Sequence, residues 1–239
     1  MARRIIEYLE EVASLPDEQL ANQRGPISAA QSRAIEENIV ACLRPAAGER
    51  ILELGCGTGM IAGALHSRGA RVVCADVAHN MLLRAIRKGP GVQGVRATCT
   101  ALPFRDNSFD KVSFNAVITF LSADDVMATL GELRRIVRSG GTIFVGDICD
   151  PPREIRYLRY VGVKGWRLLA RLTVTGAKNF IRPIVGFVWG SRRRGGGWYS
   201  PREFLRRVHK SGMRGSIRQQ NGELPYHGWR YDCLLQVEK

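Results

Sequence analysis

At 239 residues, 45% hydrophobic and 24% charged, the chain is long enough for one α/β domain with a substantial core and too short for two comfortable ones. It has no run of about 18 apolar residues, and its charged start, MARRIIEYLEE, lacks the apolar centre of a signal peptide, so no spanning helix is expected and a cytoplasmic protein is. The net charge of +14 is local: residues 151–215 hold 16 Lys and Arg against 2 acids, while the remaining 20 basic and 20 acidic residues balance, so one segment favours an anionic partner such as a phosphate-bearing substrate, a lipid surface or nucleic acid.

Taken in order, residues 3–14 and 28–43 read as helices separated by the break Arg24-Gly25-Pro26. The second opens on a capping-box pattern, Ser28-x-x-Gln31, and carries Ala34, Ile35, Ile39, Val40 and Leu43 at helical spacing. Ile51, Leu52 and Leu54 form a short apolar strand that runs into Gly55, Gly57 and Gly59, with a helix from Met60 to about Arg68. The buried-strand run from Arg71 to Asp76 then completes a βαβ unit of a parallel sheet. A helix over 79–88, a weaker strand over 92–97, a strand over 109–117, a helix capped by Ser122 and running to Arg138, and a strand over 142–147 follow. This alternation predicts a doubly wound, mostly parallel seven-stranded α/β sheet, whose ligand lies across the carboxyl ends of the strands.

Residues 151–199 depart from the rhythm, mixing Tyr157, Tyr160, Trp166 and leucines with arginines, and are expected to form a basic helical insertion or lid. Ser200-Pro201-x-Glu203 supplies cap, first-turn proline and acid for a helix to about Ser211, and strands over 213–219 and 230–237 close the sheet. The expected organisation is a single domain: a helical cap (1–47), a cofactor-binding half (48–150), the insertion (151–199), and a terminal helix with its strand pair (200–239). Six cysteines are scattered without a CxxC pair, which reads as reduced core residues and gives no metal site.

The loop after the first strand carries the chemistry. Glycines at alternate positions let a ligand lie against bare backbone and meet amide donors, which suits a nucleoside bearing a carboxylate or phosphate. A dinucleotide fingerprint would place a third small residue three positions after the second glycine, and here that position is Met60. Glu53 ahead of the turn attracts a cationic ligand and would repel a pyrophosphate.

Glu53-Leu54-Gly55-Cys56-Gly57-Thr58-Gly59, Asp76, the Leu102-Pro103-Phe104 turn, Ser108-Phe109-Asp110 and the run Leu133 to Gly141 together resemble the class I S-adenosylmethionine-dependent methyltransferases, over about Arg50 to Asp147. The resemblance implies S-adenosylmethionine as cofactor, held by Glu53, Gly55, Cys56, Gly57, Gly59, Asp76, Val77, Met81, Thr98, Cys99, Leu102 and Asn115. It gives Asp76 the two ribose hydroxyls, places Met81 and Leu102 at the adenine, and turns Asn115 towards the methionine moiety or substrate. The residues alone also allow Asp76 as a helix cap, Met81 and Leu102 as ordinary core, and Asn115 as the end of a strand. The family commonly has an Asp where Thr98 stands, so the adenine amino group meets a neutral acceptor here.

Methyl transfer from a sulfonium needs chiefly a positioned acceptor and a dry site, with a base only where the acceptor must lose a proton. Asp147, Tyr226 and His227 are the catalytic candidates, since each follows a strand expected to end at the site, and His227 has the titration range of a general base. The expected acceptor is a small or lipid-linked, anionic metabolite, with peripheral contact to an anionic membrane through the basic segment. The alternatives are a nucleic-acid (RNA) methyltransferase and a non-catalytic methyltransferase-like subunit that docks a partner or membrane.

Overall fold

The computed structural model describes residues 3–13, 28–89, 91–150, 197–220, 222–224, 228 and 230–238. The basic insertion as far as residue 196, Tyr226 and His227 lie outside these described residues. In chain order the elements are α1 (Arg3–Val12), α2 (Ala29–Leu43), β1 (Arg50–Leu54), α3 (Met60–His66), β2 (Arg71–Asp76), α4 (His79–Lys88), β3 (Gln93–Arg96), β4 (Phe109–Asn115), a 3-10 turn (Ile118–Phe120), α5 (Ala123–Ile136), β5 (Val137–Cys149), α6 (Pro201–Lys210), β6 (Met213–Gln219) and β7 (Arg230–Val237).

Among the described residues seven strands form one sheet, in the order β3-β2-β1-β4-β5-β7-β6. The pairs from β3 across to β5 are parallel, and β7 runs antiparallel between β5 and β6. Chain order reverses between β1 and β4, so the crevice of a doubly wound sheet opens above those two strands, beside the glycine turn.

Side-chain alternation divides the core into two layers. Ile51, Val72, Cys74 and Phe144 point to the face covered by α2, α3 and α4, where they meet Ile39, Leu43, Ile61, Leu65 and Leu82. Leu52, Leu54, Val73, Ala75, Ile143 and Val145 point to the other face, against Val126, Leu130 and Leu133 of α5 and Phe204 and Val208 of α6. Full burial of each such aliphatic or aromatic side chain is worth about 1.5–3 kcal/mol over leaving it in water. Because the period of two runs through strands covered on both faces, register is fixed: a slip of one residue would exchange the two layers.

The helix starts follow their local codes. Ser28 with Gln31 and Ser122 with Asp125 form complete capping boxes, and Ser200 accepts from the Glu203 amide ahead of Pro201. Among the boundaries that differ from expectation, two bear on the site. β4 ends at Asn115 and not at Val117, because Ala116 turns into the left-handed region (φ 57) and a 3-10 turn follows. β5 begins directly at Val137, paired with Phe109, and resumes at Thr142 opposite Lys111 after an irregularity; Arg138, expected to be helical, reaches Asp110 at 2.9 Å across this bulge.

Candidate cofactor and acceptor site

The turn after β1 is tied to β2 before it reaches the ligand crevice. The amides of Gly55 and Cys56 both donate to the Ala75 carbonyl, at 2.7 and 3.2 Å, and Gly59 N donates back to Cys56 O at 2.9 Å. At Gly59 (φ +75) a Cβ would meet the Ala85 backbone of α4 at 2.8 Å, so this glycine is required by protein packing. Gly57 (φ +51) differs: a Cβ there would find nothing within 4 Å. The open space over Gly57, beside a crevice at the switch point, is the room that a ligand lying on the loop needs.

Asp76, at the carboxyl end of β2, is 7% exposed. Its Oδ2 accepts from Gly57 N and its Oδ1 from Ala78 N, both at 2.9 Å. One carboxylate therefore bridges the glycine turn and the approach to α4, and each oxygen keeps a further lone pair for a ligand hydroxyl. Burial pushes its carboxyl above the usual aspartate range in spite of these amide donors.

The helix cap that Asp76 could have provided comes from elsewhere. Glu10 of α1 accepts from His79 N at 2.7 Å and Asn80 N at 2.8 Å, capping α4 across 69 and 70 residues of sequence. Burial opposes its charge, but the Asn80 and His79 amides, with Arg96 at 3.8 Å, outweigh it and hold the Glu10 carboxyl below its ordinary value. Met81, expected at the adenine, is buried with Val12, Ala13 and Ala78, so α1 covers it directly. Val77 is partly exposed, and its carbonyl accepts from Arg96 Nε at 3.1 Å.

Glu53 is 4% exposed and accepts from the Cys74 thiol at 3.8 Å, which places its carboxylate beneath the turn in the layer of Ile51 and Cys74. A hydrogen bond with Cys74, then burial, pushes the Cys56 thiol far up, and burial does the same to Cys99, so both are neutral packing groups.

Thr98 follows directly on Ala97, whose amide donates to Asp76 O at 3.0 Å. Its hydroxyl lies 3.0 Å from that of Thr100, with which it shares a hydrogen bond. Leu102 is buried, and its turn is pinned from α5: Glu132 accepts from Leu102 N at 2.6 Å, while Arg135 donates to the carbonyls of Leu102 at 2.9 Å and Phe104 at 2.7 Å and to Asp106 at 2.9 Å. The pairing with Glu132, then with Asp106, pushes the Arg135 pKa up, and the bond from Arg135 holds Glu132 below the usual carboxylate range. The Leu133 to Gly141 run contained Arg135, but nothing in its spacing connected it with Leu102.

Asn115 ends β4, nine-tenths buried, opposite Gly146 of β5, where a Cβ would collide with its Oδ1. Val117 lies over Gly55, joining the end of β4 to the cofactor turn. Asp147 comes next on β5, in the left-handed region (φ 63), with its carboxylate in an ion pair with Arg230. Left-handed backbone at Ala116 and Asp147, on adjacent strand ends, is stored strain of the kind found at functional sites. The structure thus gathers Glu53, Gly55, Cys56, Gly57, Gly59 and Asp76 about one turn, sets Thr98, Cys99 and Leu102 on the loop after β3, and pairs Asn115 with Gly146, the residue before Asp147.

Comparisons with known proteins bear on the fold that carries this geometry. The family model described as a methyltransferase domain matches residues 52–145. The chain is 40% identical over 111 residues to a demethylmenaquinone methyltransferase of Clavibacter sepedonicus (45% of this chain, 44% of the relative). It is 41% identical over 113 residues to the enzyme of that name from Thermus thermophilus (45% and 50%). The chain thus spans about half the length of these curated relatives. Among solved structures it resembles a chain of the complex between the Haloferax volcanii Trm112 methyltransferase activator and the putative methyltransferase, with a TM-score of 0.67 and 14% identity over 97% of this chain and 98% of that one. It also resembles the magnesium protoporphyrin IX methyltransferase of Synechocystis with bound S-adenosylhomocysteine (TM-score 0.66, 12% identity, 98% and 99% covered), and at these identities both likenesses bear on the fold. The matched region runs from β1 to β5 and contains the glycine turn, Asp76 and Asn115, so residues 52–145 form a methyltransferase domain of the class I S-adenosylmethionine-dependent kind.

Proposed function

We propose that this protein transfers a methyl group from S-adenosylmethionine to a lipid-linked aromatic acceptor of the reduced quinone class. The observation that carries the transfer itself is the Asp76 clamp, which fixes a buried carboxylate against the one turn residue, Gly57, whose missing side chain faces open space. Support for the acceptor class comes from the curated relatives, which are named for demethylmenaquinone, and from the cationic stretch 151–215, whose charge suits an anionic lipid surface. No helix among the described residues is long and apolar enough to cross a membrane.

The bound cofactor supplies a methyl group already activated on a sulfonium, and the protein's work is to orient it, to present the acceptor in line and to exclude water. Asp76 takes the ribose hydroxyls through its remaining lone pairs, with charge-assisted bonds. The glycine turn carries the amino-acid tail, and the loop from Thr98 to Leu102, clamped by Glu132 and Arg135, walls the adenine. Asn115 and Asp147 border the acceptor. The cofactor would supply its methyl carbon to the acceptor carbon with the carbon–sulfur electron pair left on sulfur, and the acceptor's proton would pass to the Asp147 carboxylate, to the neutral imidazole of His227 or to Tyr226 as its phenolate.

The test uses radiolabelled S-adenosylmethionine with a reduced 1,4-naphthoquinone bearing an isoprenoid tail, in detergent micelles. Label in the quinone is expected. Binding of S-adenosylhomocysteine without labelling of the quinone removes the acceptor class, and no binding of S-adenosylhomocysteine removes the reading altogether.

A further inference from the structure

The acceptor end of the sheet contains a buried carboxylate to which the methyl transfer gives no direct part. Asp232, in β7, is 2% exposed. Its Oδ1 accepts from Asp147 N and from Gln220 Nε2, and its Oδ2 from Asn38 Nδ2, each at 2.9 Å. The three donors belong to β5, to the residue after β6 and to α2, so the acid joins elements 85, 12 and 194 residues away.

Opposite Asp232 the sheet is irregular. Pairing passes from Val145 with Cys233 to Ile148 with Tyr231, so that β5 spends two residues, Gly146 and Asp147, where β7 spends one. That is a bulge, a device that re-aims side chains beside active sites. Asp147 sits in it at φ 63, a conformation that costs an L-residue roughly 1–2 kcal/mol and needs a partner to hold it. The partner of its amide is Asp232, and the partner of its carboxylate is Arg230, two residues before Asp232 on the same strand.

We propose that Asp232 is a positioning residue for methyl transfer: by accepting the Asp147 amide it holds the β5 bulge in its left-handed form and so fixes the Asp147–Arg230 pair at the edge of the acceptor space, next to Asn115. The inference rests on the reading that Asp147 borders the acceptor. Asp232 touches neither cofactor nor acceptor and acts only through Asp147.

The charge and the shape of Asp232 can be separated. In Asp232→Asn the remaining carbonyl oxygen can still serve Asp147 N and Gln220, while the Asn38 amide can turn over to offer its own oxygen to the new NH2 group. Asp232→Ala removes both. Full-length wild type, D232A, D232N, N38A and D147N are compared for S-adenosylhomocysteine affinity by calorimetry, for kcat and KM on the reduced isoprenoid naphthoquinone, and for hydrogen exchange at the Asp147 amide. D232A is expected to lose about 100-fold in kcat, as a misplaced reacting group does, with cofactor affinity within twofold of wild type and faster exchange at Asp147. D232N should stay within about fivefold of wild type in kcat, matching rescue by geometry. N38A, which leaves the bond to Asp147 in place, should fall between them, and it and D232N keep the test open if D232A does not fold. A D147N variant impaired in kcat beside D232A or N38A at the full rate and with fast Asp147 exchange overturns the inference alone. D147N at the full rate removes the reading of Asp147, and the inference with it.

Discussion

Replacing Asp76 by alanine tests the proposed cofactor site most directly, because its carboxylate has one duty in the protein alone and, in the proposed reading, a second towards the cofactor. In the protein alone it accepts from Gly57 N and Ala78 N, both at 2.9 Å, so alanine leaves two shielded amides without an acceptor at about 1–3 kcal/mol each. That is a sizeable share of the 5–15 kcal/mol typical of a folded domain, so a fall of several degrees in melting temperature is expected without loss of the fold. If Asp76 holds the ribose as proposed, alanine should also delete two charge-assisted bonds to its hydroxyls, roughly 1.5–3 kcal/mol each, or about a hundredfold to ten-thousandfold in affinity at 1.4 kcal/mol per decade. Calorimetric titration with S-adenosylhomocysteine, paired with thermal unfolding, reads both. The pH dependence adds a sign. Burial raises the Asp76 carboxyl above 3.8 in the free protein. Its contribution to stability is therefore full in the neutral form, below the unfolded pKa, and declines as pH rises through the folded value. Ribose binding prefers the ionised form, so affinity should move the opposite way and weaken on acidification through that raised pKa, a slope that Asp76→Asn should flatten. A folded D76A protein that binds S-adenosylhomocysteine within threefold of wild type would refute the assignment.

The other predictions concern what holds that site in place. Gly59→Ala forces a side chain into the Ala85 backbone from a left-handed φ and should destabilise the protein strongly, whereas Gly57→Ala meets open space, so it should fold at a cost of about 1–2 kcal/mol while losing cofactor affinity; comparing melting curves with titrations of the two variants checks this. Arg135→Ala removes the donors to Leu102 O and Phe104 O and should release the turn at the adenine wall, seen as faster hydrogen exchange over 98–106 and at least tenfold weaker cofactor binding. Glu10→Gln weakens the cap on α4 by about 1 kcal/mol. Because the Glu10 carboxyl lies below its ordinary value of 4.5, the lost stability should be present at neutral pH and vanish as pH falls below 4.5, which chemical denaturation at pH 7 and pH 3.5 will show.

What could be read in the sequence were the features that short stretches of chain decide for themselves. Ser28 with Gln31, Ser122 with Asp125, and Ser200 with Pro201 are helix starts because the residues that satisfy the first amides lie within one turn of them. Ile51 to Gly59 declares a strand, a turn and a helix start in nine residues, and Asp76 was found because it ends the next strand. The boundaries that failed, at Ala116 and at Val137, failed because a left-handed residue without glycine and a strand resumed after a bulge leave no local mark.

Partners distant in sequence were decided only by the tertiary structure. A glutamate in the first helix caps α4 69 residues later, which freed Asp76 from the capping role its position allowed. An arginine and a glutamate one turn apart on α5 hold the Leu102 turn through bonds across 30 and 33 residues. Asp232 left one trace, a charge inside the apolar run of β7, but its meaning required Asn38, Gln220 and Asp147 to converge on it. The sequence by itself determined the elements and their order along the chain, since periodicity, capping and the glycine turn act over a few residues, and its resemblance to a known family supplied the cofactor. The shape of the acceptor end depended on folding, because a buried carboxylate takes its donors from whichever strands and helices the packed sheet brings within reach.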